Sequence, residues 1–98
     1  MKIPDKLKVA GHIYKVTYRD KWLAKQGLVG QCHNDKKTIY LCKYYNTVRR
    51  AKSEIELTMM HEIMHAVDRH YNDNSLSEKA VTRLSNGLYQ VLKDNFKF

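Results

Sequence analysis

The period of the apolar residues changes once along the chain, and that change limits the architectures open to it. As far as Lys43, apolar side chains largely alternate with polar ones, the period of half-buried strands. From Tyr44 onward they come to recur at three- and four-residue intervals, the period of helices packed on one face. Strands first and helices last, in 98 residues, predict a single α+β domain, 1–98, with a β-rich half (1–52) and a helical half (53–98). The expected architecture is a small N-terminal antiparallel sheet of two hairpins, followed by one long helix and a second helix antiparallel to it.

In the first half, Leu7 to Ala10 and Ile13 to Tyr18 read as a hairpin. A Gly11-His12 turn of type II′ would pair Val9 with Tyr14 and Leu7 with Val16. That register puts Leu7, Val9, Tyr14, Val16 and Tyr18 on one face, and Lys6, Lys8, Lys15, Thr17 and Arg19 on the other. Asp20 to Gln26, ended by Gly27, is predicted to make a short helix carrying Trp22 and Leu23 inward. Leu28 to His33 and Thr38 to Lys43 read as a second hairpin, with Leu28, Gly30, Cys32, Ile39 and Leu41 on one side. Cys32 and Cys42 match no disulfide framework or standard zinc spacing and are expected as reduced, half-buried strand residues.

In the second half, Ser53-Glu54-Ile55-Glu56 has the form of a capping box opening a helix from about Ser53 to His70. A second such sequence, Ser75-Leu76-Ser77-Glu78, opens another helix with the stripe Ala80, Val81, Leu84, Leu88, Val91 and Leu92.

Charge divides at the same place. Residues 1 to 52 hold 13 basic and 3 acidic side chains, whereas residues 53 to 98 hold 5 and 7. A basic sheet face could favour nucleic acid or an acidic partner, but its charge is spread over strands and turns with no recognisable reading motif, so strong nucleic-acid binding is not expected. The longest uninterrupted apolar run, Ile39 to Cys42, is far too short to cross a membrane, and the first residues have no signal-peptide character. A cytoplasmic location is expected; the oligomeric state is not legible.

The chemistry concentrates in His61-Glu62-Ile63-Met64-His65 on the first long helix. At 100° per residue the two imidazoles lie 40° apart, one turn above the other, so both can present a nitrogen to one Zn²⁺. Glu62 stands beside them, placed to take a proton from a water without being a ligand. A catalytic zinc site needs a third protein ligand and an open fourth position. The pattern H-E-x-x-H-x-x-G-x-x-H does not continue here, because Asp68 stands at its glycine and Tyr71 at its third histidine. A reversal over Tyr71 to Asn74 would lay the second helix back along the first and bring Glu78 to the histidines, although Glu78 also fits a capping role. Asp73 and Asp68 are the alternatives, Asp68 better suited to a supporting contact or a solvated surface. His12, His33 and His70 read as structural or solvated, His70 at a helix C-terminus that favours a cationic ring. Any of the seven tyrosines could bond a developing oxyanion, and the sequence does not select one.

The succession of a Gly30 strand, the Thr38-Ile39-Tyr40-Leu41 strand, the helix through Thr58-Met59-Met60-His61-Glu62-Ile63-Met64-His65-Ala66, and Glu78 ahead of Leu84-Ser85-Asn86-Gly87-Leu88 resembles the small phage and mobile-element zinc metallopeptidases related to the ImmA/IrrE and SprT-like groups. The resemblance covers about residues 13 to 95, and H-E-x-x-H is its specific part. It implies a minimal gluzincin-like fold with His61, His65 and Glu78 as zinc ligands and Glu62 as base. It also implies a protein substrate, since members of this kind include proteases acting on repressors of mobile elements. The expectation is therefore a zinc endopeptidase whose peptide or protein substrate lies extended along a sheet edge such as Thr38 to Lys43. The competing expectation is a non-enzymatic, zinc-stabilised basic module that binds nucleic acid or an acidic protein.

Overall fold

The structure, a computed structural model, describes residues 1–96. Four strands, β1 (Lys6–Val9), β2 (His12–Tyr18), β3 (Gly30–His33) and β4 (Thr38–Leu41), make one sheet in the order β1-β2-β4-β3. Each expected hairpin is antiparallel, but β2 and β4 run parallel, Lys15 beside Thr38 and Tyr18 beside Leu41, so the sheet is mixed rather than wholly antiparallel. The cause is the connection between them. Parallel neighbours need a crossover of a dozen or so residues, and the helix α1 (Asp20–Lys25) together with β3 supplies it.

The first turn also differs. Ala10 and Gly11, with φ of 52° and 80°, form it, as both central residues of a type I′ turn require, and the pairs become Leu7–Tyr14 and Val9–His12. The pairing moves by two residues from expectation, and two is the side-chain period of a strand, so the faces are unchanged. Val9, Tyr14 and Val16 are buried while Lys6, Lys8 and Lys15 are exposed. Cys32 lies opposite Ile39, and both cysteines are free. In α1 only Leu23 is buried; Trp22 stays outside and packs its ring on Tyr40 at 4.9 Å.

Before the long helix, where the sequence reads as already helical, a small hairpin of β5 (Tyr44–Tyr45) and β6 (Val48–Arg49) intervenes. It is closed by Asn46 and Thr47 at φ 54° and 89°. The helix α2 (Lys52–Tyr71) then crosses the inner face of the sheet, and Ile55, Met59 and Ala66 close the core formed by Val9, Tyr14, Val16, Ile39 and Leu41. The expected box at its start is absent. Ala51 is the N-cap without a side-chain bond, and Glu56 is buried, accepting from Tyr89 Oη at 2.6 Å and lying 3.3 Å from the Met1 amine.

The helix α3 (Glu78–Asn95) lies antiparallel to α2 and opens at Ser77, whose hydroxyl accepts from the Ala80 N–H. Its buried residues are Val81, Ser85 and Tyr89, whereas Leu84, Leu88 and Val91 of the expected stripe are 50%, 40% and 46% exposed. Among the described residues, no helix is long and apolar enough to cross a membrane.

Candidate metal centre

Three donors converge where α2 passes the start of α3. His61 Nε2 lies 2.7 Å from Glu78 Oε1, and His65 Nε2 lies 3.0 Å from Glu78 Oε2. The imidazole centroids are 4.9 Å apart, as expected of residues one turn apart on a helix. Among the described residues, this is the one group of three or more His, Cys, Asp or Glu side chains whose ligand atoms come within 4.8 Å of one another. Two imidazoles and one carboxylate are a donor set suited to a borderline divalent ion, and three protein donors leave a further position free for a small ligand.

The α2–α3 turn delivers Glu78. Asp73 and Asn74 take left-handed backbone at φ 52° and 56°, which short polar residues tolerate. Asp68 holds the turn from beneath. It is 2% exposed, and its Oδ1 accepts from Asn72 Nδ2 at 3.0 Å and from the Leu76 N–H at 3.2 Å. Its backbone carbonyl accepts from the N–H groups of Asn72 and Asn74. Asp68 is therefore buried rather than solvated, and its carboxylate bonds the turn rather than either histidine. Asp73 lies outside the converging group. Glu78 does not complete a capping box, because the N-cap is Ser77 rather than Ser75; as the first helical residue it turns its carboxylate to the two imidazoles.

Glu62, 6% exposed, faces the sheet side of the cluster. Burial and the nearby Glu78 charge push its carboxyl up to about 8, while a bond from the Cys32 N–H pulls the other way. Gly30 makes this approach possible. A Cβ there would overlap Thr58 Cγ2 and stand 3.0 Å from Glu62 Oε2. Nothing in the sequence around Gly30 announces this contact, because the helix it touches lies some thirty residues away.

The cluster sits at an edge of the sheet, but not the expected one: β4 lies between β2 and β3, so β3 is the edge beside the site. The carbonyls of Lys37 and Leu41 accept from Lys15 and Arg19, so odd-numbered residues of β4 bond toward β2. The β3–β4 bonds then join Gln31 with Tyr40 and His33 with Thr38, and the backbone groups of Gly30 and Cys32 point off the edge.

The other histidines stay structural. Tyr14 Oη donates to Asn34 Oδ1 at 2.7 Å, so His70 Nε2, 2.8 Å from the same oxygen, acts as a donor. His70 stacks on His12 with centroids 4.8 Å apart, and burial, His12, Lys37 and Arg69 lower its pKa. The helix C-terminus therefore carries a disfavoured cation rather than the favourable one expected. Burial and the Glu62 charge raise the Cys32 thiol to about 12. Among the described residues lining the cavities at the cluster there is no tyrosine.

No protein-family model, characterised protein or solved structure matches the chain.

Proposed function

We propose that this protein is a zinc-dependent endopeptidase that holds its ion through His61, His65 and Glu78 and uses Glu62 as general base. The observation that carries the reading is the convergence of those three donors beside a buried carboxylate that is not one of them. A structural zinc site closes with four protein ligands, whereas this group has three. When bound, zinc would polarise the scissile carbonyl and acidify water at the site.

The chain's own residues supply the remaining functions. Glu62 would accept the water's proton and return it to the leaving amine; a bound cation would offset the burial and the Glu78 repulsion that raise its pKa. Gly30, with no side chain and its backbone directed off the edge, lets an extended peptide approach β3 and pair with it. This assigns the peptide to β3 in place of the buried neighbour strand β4.

The test is Glu62→Gln. The amide is nearly isosteric, so the variant should bind one zinc per chain and melt like the wild type, yet lose hydrolysis. His61→Ala and His65→Ala should lose the ion as well. If Glu62→Gln cleaves a chelator-sensitive substrate as fast as the wild type, the mechanism is wrong. If metal analysis finds zinc retained by Glu78→Ala at wild-type affinity but lost by Asp73→Ala, the ligand assignment is wrong.

A further inference from the structure

The helix α3 packs mainly on α2, burying Val81, Ser85 and Tyr89. The row of Leu84, Leu88 and Val91, which spans about 60° of the helix, is left exposed. Among the described residues no other helix exposes three aliphatic side chains on one face. Such a row gains free energy from a surface that takes it out of water. Gly87 borders the row, and an added methyl there would meet nothing within 4 Å, so no contact within one copy calls for a glycine in mid-helix. A glycine does let a second backbone come close.

Charge indicates what that surface is. Arg83 and Asp94 are exposed on the same flank of the row as Gly87, about 80–100° around from Leu84. Among the described residues neither enters an ion pair, and Gln90 Nε2 donates to Asp94 Oδ2 at 3.0 Å on that flank. Eleven residues apart on one helix, they are separated by about 16 Å along its axis and cannot meet. A second α3 laid antiparallel against the row changes this, because a two-fold axis across the helices sets like flanks face to face. The midpoint of Arg83 and Asp94 lies between residues 88 and 89, and that of Leu84 and Val91 between 87 and 88. One axis near Leu88 therefore stacks the two rows and closes the Arg83–Asp94 pair twice. A parallel pair would instead set this flank against the opposite one, which carries Ser85 and Leu92 and no charge level with Arg83 or Asp94.

We propose that the exposed row of α3 is a self-association surface, on which a second copy of this chain packs its own α3 antiparallel, Leu88 against Leu88 and Arg83 of each copy against Asp94 of the other. Asn86, which lines the cavity at the three converging donors, lies about 160° around the helix from Leu84, so the pairing leaves the candidate metal centre open. One helix face per copy buries less than a stable dimer does, and association is expected at about 0.1 mM protein, above the dilute range in which folding is measured.

The experiment is sedimentation equilibrium of the full-length protein up to about 1 mM, with chelator present so that no ion bridges two copies. The wild type should pass from monomer to dimer across that range. Arg83→Asp leaves two acids on the flank and Asp94→Arg leaves two bases, so each variant alone should self-associate about tenfold or more weakly. An equimolar mixture of the two should regain a dimer of wild-type strength, since every flank then meets its opposite. Leu88→Lys should stay monomeric throughout while melting like the wild type in dilute solution. The inference is overturned by a wild type that is monomeric at the highest concentration, by charge variants that each associate as the wild type does, by a mixture no more associated than its components, or by a Leu88→Lys dimer. None of these readouts depends on the metal or on hydrolysis, so the peptidase reading stands or falls separately.

Discussion

Single positions fix how closely the helix and sheet meet, and the four glycines separate cleanly on this point. At Gly30 an added methyl meets Thr58, whose side chain cannot swing aside because its hydroxyl donates to the Glu54 carbonyl at 2.9 Å and accepts from Arg50 Nη2 at 2.8 Å. Gly30→Ala should therefore cost about 1–3 kcal/mol and displace Glu62. Gly87 lies within α3 with nothing within 4 Å of an added methyl, so Gly87→Ala should stabilise by about 0.5–1 kcal/mol. Urea unfolding of both decides, and equal effects would refute the contrast. His70 gives the pH expectation. Its folded pKa lies below its ordinary 6.5, so the stability it contributes is complete above that value and is lost as pH falls through and below it. Glu62, raised to about 8, acts in the opposite sense over the same interval, so the test is a difference: in metal-free protein, the melting temperature of the wild type relative to His70→Gln should fall from pH 7 to pH 5, and an unchanged difference would sink the assignment. His61, Glu62 and His65 were legible because a four-residue spacing on a helix sets geometry without help from the rest of the chain. Glu78 was legible as a candidate, but its cap role falls away only with Ser77, not Ser75, as the N-cap. Gly30 and Asp68 were not legible, because their partners are set by packing between distant segments rather than by local spacing.

Elements were read well where one interaction dominated and poorly where two competed. Both hairpins and both long helices stand where period and turn residues put them, and even the misplaced first turn preserved the faces. The rotation of α3 about its axis was misread, because the apolar stripe through Leu84 and Leu88 does not determine it. Polar anchors at its two ends do: Glu78 on His61 and His65, and Tyr89 on the buried Glu56. Turning α3 to bury the stripe would strip Glu56 of the hydroxyl it accepts from, leaving a buried carboxylate undersatisfied. Tyr89→Phe should then cost about 1–3 kcal/mol. Leu88→Lys, despite lying in the most hydrophobic row of the helix, should stay within about 0.5 kcal/mol of the wild type. Urea midpoints measure both, and the reverse order would show that the stripe, not the anchors, holds the helix. The parallel β2–β4 pair was illegible for a related reason, since alternation gives the faces of a strand but not the order in which strands assemble.

At the scale of the whole molecule, the basic half is the sheet and the converging donors belong to the helices, so the charge of the chain and its proposed chemistry occupy opposite sides of one small core. Lys6, Lys8 and Lys15 remain on the solvent face, exposed and spaced along two strands, an arrangement that blunts edge pairing as well as it attracts phosphate. Binding to duplex DNA should accordingly be weak and fall steeply with salt; tight, sequence-selective binding at physiological salt would favour the non-enzymatic module instead. A bound metal would link the two long helices, because His61 and His65 come from α2 and Glu78 from α3. An ion that binds only the folded chain stabilises it by about 2.7 kcal/mol at a free concentration one hundred times its Kd. For a domain of this size that corresponds to a rise in Tm on the order of 10 °C or more. Zinc added to chelator-stripped protein should produce that rise. Glu78→Ala should abolish most of it by removing the one donor on the second helix, and Glu62→Gln should keep it whole, since Glu62 holds no ion. The comparison separates a metal that joins helices from one adsorbed on a histidine pair: the adsorbed ion would leave Glu78→Ala with the wild-type shift. A wild-type Tm unmoved by zinc would remove the metal from this protein, and the peptidase with it.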